Sequence, residues 1–121
     1  MRVLNVMAVM VLALAFGVAC SSGADGREIA VEAGSAGGKM FFKPDKVTVK
    51  AGEKVVFVIK NTDSQDHEFD AEGNVIPETP LPAGQTRRIA WTAPDKAGTI
   101  DVECDKPGHK AAGMEMQVIV Q

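Results

Sequence analysis

Few residues in this chain of 121 could do metal or nucleophile chemistry, and they are concentrated. It contains two histidines and two cysteines. Cys104, His109 and Met114 follow one another at five-residue intervals, and His67 lies far upstream, just after a polar turn that begins at Asn61. One thiolate, two imidazoles and one thioether form a soft donor set. Such a set suits a single copper ion cycling between Cu(I) and Cu(II), with strong in-plane bonds from Cys and His and a weak, long axial bond from Met. Zinc takes Cys and His as readily but gains little from a thioether. Met116 shares the strand parity of Met114 and is the alternative thioether. Met40 is expected to pack rather than ligate.

The elements that must position these side chains repeat with period two, not 3.6. Ile29 and Val31 alternate with polar neighbours, and residues 34–38, rich in glycine, are expected to break that strand. Met40 to Phe42 and Val47 with Val49 make two short strands divided by Pro44-Asp45, followed by a turn at Ala51-Gly52. Residues 54–60 (KVVFVIK) are a β-branched run suited to a central strand. Residues 70–84 contain Pro77, Pro80 and Pro82, so a long loop is expected there. Residues 86–92 alternate again, with Ile89 and Trp91 on one face; Trp91, Phe57 and Ile100 are expected in the core. Residues 99–104 place Ile100, Val102 and Cys104 on one face, and 114–120 form the closing strand. Both ends of the Cys104-to-Met114 loop are thereby tied to strands. Pro107-Gly108 supplies a tight turn that aims His109 back at the sulfur. This is an all-β pattern of seven or eight strands, an antiparallel Greek-key sandwich or barrel.

The first residues do not belong to that domain. Arg2 gives a positive start, and from Val6 to Ala19 every residue is apolar or Gly. That run is shorter than the about 20 apolar residues a comfortable membrane helix needs, and it reads as a secretory signal over residues 1–19. No twin arginine is present, so export through the general route is expected. Ala19-Cys20-Ser21-Ser22-Gly23 resembles a bacterial lipoprotein junction, although Gly17 stands where that motif usually has an aliphatic residue. Residues 20–27 are then a lipidated tether anchored to the membrane through Cys20, and residues 28–121 the domain. Cys104 becomes the only free thiol in an oxidising compartment, where an unoccupied thiol is unusual. Removing residues 1–19 leaves twelve basic and sixteen acidic residues without a basic cluster, which argues against nucleic-acid binding.

The segments FKPDKVTVKAGEKVVFVIKNT, His67-Glu68-Phe69, PAGQTRRIAWTAPDKAGTIDVEC and CDKPGHKAAGM together resemble the cupredoxin family of blue copper proteins, over about residues 39–121. The Cys-x4-His-x4-Met loop is most similar to rusticyanin-like members. The resemblance implies a cupredoxin-like sandwich with His67, Cys104 and His109 as equatorial ligands and Met114 as the axial one. Asn61 and Glu68 would stand just outside them. Glu68 is a departure, because many members have Asn directly after the first His.

These expectations point to a type 1 copper carrier of single electrons, in the cell envelope, between redox partners the sequence does not identify. With four ligands no coordination position is open for substrate, so an enzyme is not expected. A protein that delivers or sequesters copper without redox cycling is the alternative. Pro107, Gly108, Ala111 and Ala112 make a small-residue patch around His109 through which electrons would cross, and Lys106 and Lys110 flank it as candidates for steering an acidic partner. A monomer is the family default.

Overall fold

A computed structural model describes residues 26–121; the readings attached to residues 1–25, including the signal segment and Cys20, lie outside them. Nine strands follow in chain order: β1 (Arg27–Ala36), β2 (Lys39–Lys43), β3 (Lys46–Val49), β4 (Lys54–Asn61), β5 (His67–Ala71), β6 (Ile76–Leu81), β7 (Thr86–Thr92), β8 (Gly98–Glu103) and β9 (Glu115–Val120). They form two sheets, β2-β1-β4-β7 and β3-β9-β8-β5-β6. The fold is the all-β sandwich that the alternating pattern implies, with the two-sheet form expected from the family resemblance.

Several details differ from the sequence reading, beginning with nine strands where seven or eight were expected. β1 continues through Gly34 to Ala36, and the chain turns only at Gly37 and Gly38, both with positive φ. Gly34 serves a close approach instead. A Cβ there would lie 2.9 Å from both the Phe41 ring and Thr62 Oγ1. Residues 76–81 are a strand rather than loop, despite Pro77 and Pro80. β6 is at the end of its sheet, where a residue without an N–H costs no ladder bond on the open side. The pairing is also not wholly antiparallel: β1 runs parallel to β4, and β3 parallel to β9. The chain passes from the first sheet at β2 to the second at β3 and back at β4, which lays like-directed strands side by side.

The core lies between the sheets. Phe42, Phe57 and Phe69 are fully buried. The ring of Phe69 meets Phe42 edge-on at 5.2 Å and Phe57 at 5.4 Å, favourable aromatic separations. Trp91 packs on Phe57, and its indole N–H donates to the Val75 carbonyl at 2.7 Å. Ile100, expected in the core, only packs against its edge. Because side chains alternate along a strand, the core positions lead directly to the chemical ones. His67 is two residues before Phe69 on β5, and Cys104 two residues after Val102 at the end of β8.

The outward side of the second sheet is acidic. Asp70 on β5 is in register with Glu103 on β8, and Asp70 Oδ1 is shielded from solvent without a hydrogen-bond partner. Burial, then the charges of Asp105, Glu103, Glu78 and Glu68, push the Asp70 carboxyl up to about 6 from an ordinary 3.8. Between those values the folded chain holds a proton that the unfolded chain has released. Stability therefore falls as pH rises through this window, and the loss persists above it. Asp70→Asn is expected to remove that contribution. Urea denaturation should show the variant gaining on the parent protein between pH 4 and pH 7, and an unchanged difference across that range would refute the assignment.

Candidate metal centre

Three donor atoms converge at one end of the sandwich, where β5 begins, β8 ends and β9 begins. His67 and Cys104 are fully buried and His109 is 9% exposed. His67 Nδ1 lies 3.1 Å from His109 Nδ1, and His109 Nδ1 lies 3.4 Å from Cys104 Sγ. All three atoms fall within 4.8 Å of one another.

Each is placed by backbone that its own sequence dictates. Asn61, fully buried, closes the 61–67 turn: its amide donates to the carbonyls of Gln65 (2.9 Å) and Leu81 (2.7 Å), and its Oδ1 accepts the Asp63 N–H at 2.9 Å. The Asn61 anticipated from sequence is thus the clamp of the turn that delivers His67. His109 is presented by a turn in which its N–H donates to the Lys106 carbonyl at 3.0 Å and Gly108 has φ +82°. Pro second and Gly third is the pattern of a type II turn. Further bonds, from Met114 N–H to the His109 carbonyl (3.1 Å) and from Cys104 N–H to the Met114 carbonyl (3.3 Å), fasten the loop to itself.

That last bond separates the two methionines. Met114 stands across from Cys104 and is fully buried, whereas Met116 is in register with Val102, one step into the core. Opposed residues on antiparallel strands hold their Cβ atoms about 5 Å apart, so the placement favours Met114 as the thioether nearest the sulfur.

The donors fit a single metal ion. Nitrogens about 2.0–2.1 Å and a sulfur about 2.3 Å from one first-row ion stand roughly 3–4 Å from each other. His109 Nδ1 stands at that spacing from both of the other donors, and a shared cation would satisfy all three. Burial pushes the Cys104 thiol up, against the backbone N–H groups of Lys106 and Glu68. Burial, then the neighbouring His67, holds His109 below the usual imidazole value. The thiol is therefore protonated and His109 neutral at pH 7, and taking up a metal displaces the thiol proton. The donor set of two imidazoles and one thiolate suits one copper ion.

Glu68 does not join the donors. Its N–H donates to Cys104 Sγ at 3.3 Å, while its carboxylate turns to Lys106 at 3.4 Å. An ion pair thus braces the Cys–His loop where an Asn side chain was absent. Lys110 is likewise paired with Glu103, so both flanking lysines are engaged with acids on the sheet. Pro107, Gly108 and Ala111 are exposed and Ala112 half-buried around the His109 edge. One residue that the spacing argument passes over is Asp63, whose Oδ2 lies 3.0 Å from His67 Nε2. Its only local signal is a polar turn with an acid four residues before the histidine.

Known proteins are similar to this chain in sequence and in fold. The copper-resistant cuproprotein CopI of Rubrivivax gelatinosus is 32% identical over 101 residues, covering 68% of this chain. The chain spans 61% of that relative's length. Dithionite-reduced auracyanin from Roseiflexus castenholzii superposes with a TM-score of 0.62 at 25% identity, covering 79% of this chain and 99% of its own. Auracyanin A, a "blue" copper protein of Chloroflexus aurantiacus, gives 0.64 at 27% identity, covering 78% and 99%. The sequence model of the cupredoxin-like domain matches residues 6–120. With the sandwich, the loop and the three converging donors in place, that match settles the classification: this chain belongs to the cupredoxin-like domain family.

Proposed function

We propose that the chain is a one-electron carrier, with His67, Cys104 and His109 as equatorial ligands and Met114 as the axial ligand of one copper ion. The observation that supports it most is the convergence of sulfur and both imidazoles on positions fixed by strands and by a self-bonded loop. The ion would supply the Cu(I)/Cu(II) couple. The chain's own part is to hold the donors still: β5, β8 and the start of β9 fix three of them, and the Lys106–His109 turn fixes the fourth. A site that keeps its shape in both oxidation states has little to rearrange when an electron moves. The small residues 107, 108, 111 and 112 leave the His109 edge approachable by a donor or acceptor. The acidic sheet and the pairing of Lys106 and Lys110 leave little free positive charge to steer an acidic partner. Residues 1–19 act as an export signal, with Cys20 as a lipid anchor; mass spectrometry of the mature chain, finding or not finding a lipid on Cys20, checks this.

Copper delivery or sequestration is the second reading, supported by the copper-resistant cuproprotein among the relatives. Optical titration tells the two apart. A carrier with a Cu(II)–thiolate bond shows intense visible absorption that bleaches on reduction and returns on oxidation. A protein that binds copper without colour or reversible cycling is the delivery protein instead.

Glu68 tunes this site. Its negative charge, felt at Cys104 although the carboxylate turns to Lys106, favours the more highly charged ion, and Glu68→Asn also leaves Lys106 without its partner. Both changes act in one direction, so the reduction potential of Glu68→Asn is expected to exceed that of the parent protein. A potential unmoved beyond error in voltammetry would discard the tuning role.

A further inference from the structure

Behind His67, on the side away from Cys104, its ring meets a carboxylate. Asp63 Oδ2 is 3.0 Å from His67 Nε2, and the two side chains are 8% and 0% exposed. The carboxylate is held from several sides. Its other oxygen accepts the Ser64 N–H at 2.7 Å, and its own backbone N–H is fixed by Asn61 Oδ1. The turn that bears it is seated against β1. Thr62 N–H donates to the Ala33 carbonyl at 2.9 Å, and only a residue without Cβ at Gly34 leaves room for Thr62. At neutral pH a carboxylate carries no proton and can only accept.

We propose that Asp63 is a positioning residue for the copper site: it takes the Nε2–H of His67 and so fixes the ring in the tautomer whose Nδ1 lone pair faces Cys104 and His109. A neutral imidazole has one N–H. If Asp63 holds it at Nε2, Nδ1 is left free as a donor, at the position where it lies 3.1 Å from His109 Nδ1. The fixed negative charge behind the ring also strengthens donation to a metal, and more so to Cu(II) than to Cu(I). This inference rests on the copper reading above, but its first test needs no copper.

The test begins with nitrogen-15 NMR of the metal-free protein. The Nε2–H tautomer of His67 is expected in the parent chain; the Nδ1–H tautomer would overturn the proposal without any variant. Next, Asp63→Asn and Asp63→Ala are titrated with Cu(II), and with Cu(I) under reductant, against chromophoric chelators. Removing such an outer partner costs about 10–100-fold in metal affinity. Cu(II) binding is expected to weaken by that factor in both variants, and Cu(I) binding by less, so that the reduction potential rises. Equal weakening of both ions, as a merely structural role would give, refutes the claim. A parent protein that takes up no copper sinks the copper reading instead, and the NMR result still decides the tautomer claim.

Discussion

Cys104→Ser is expected to give a folded protein whose copper form has lost its intense visible absorption entirely. That band requires a thiolate bonded to Cu(II), and among the described residues Cys104 is the one free cysteine. Its sulfur is fully buried, 3.4 Å from His109 Nδ1, and receives the Glu68 N–H at 3.3 Å. A serine oxygen there keeps an acceptor for that N–H but offers a harder, far less acidic donor, mismatched to a site of soft ligands. A buried hydroxyl without good partners costs about 1–3 kcal/mol, small enough for the sandwich to persist. The absorption spectrum and the far-ultraviolet dichroism of the same sample report colour and fold separately. A Cys104→Ser protein that kept the band would place the chromophore elsewhere and end the assignment of this sulfur.

Phe69→Ala is expected to cost about 3–5 kcal/mol of folding stability, the range for truncating a buried aromatic. Phe69 of the second sheet is fully buried and packs on Phe42 and Phe57, both of the first sheet, so its loss opens a cavity between the two sheets. Against the 5–15 kcal/mol typical of a small domain, that is about a fifth or more of the total. The effect reaches the metal centre because Phe69 and His67 share the inward face of β5. Saturating copper should recover part of the loss, about 2.7 kcal/mol at a hundredfold excess over Kd. Equilibrium denaturation of the metal-free and copper-loaded forms measures both quantities. A cost under about 1 kcal/mol in the metal-free protein would show that the core is not organised around this ring.

The part of this protein that is legible in its sequence lies in short-range patterns. The alternation that puts Phe69 and His67, or Val102 and Cys104, on one face follows from the two-residue repeat of a strand, whatever that strand pairs with. Pro107-Gly108 specifies a turn through the fixed φ of one residue and the positive φ open to the other. The spacing of Cys104, His109 and Met114 named a soft donor set before any neighbour was known. Choices among distant partners were decided only when the chain folded. Pro77 and Pro80 read locally as strand breakers, and it is the edge position of β6 that makes them tolerable. Gly34 reads as a break, and only the seating of Thr62 beside it shows a steric requirement. Lys106 and Lys110 read as free charges until Glu68 and Glu103 arrive from two strands to pair with them. Asp63 is one acid among sixteen in the sequence, and nothing but the folded turn sets its oxygen against the back of the His67 ring. Backbone geometry and side-chain period act over a few residues and are written locally; burial, charge pairing and the far side of a ligand depend on what the rest of the chain brings alongside.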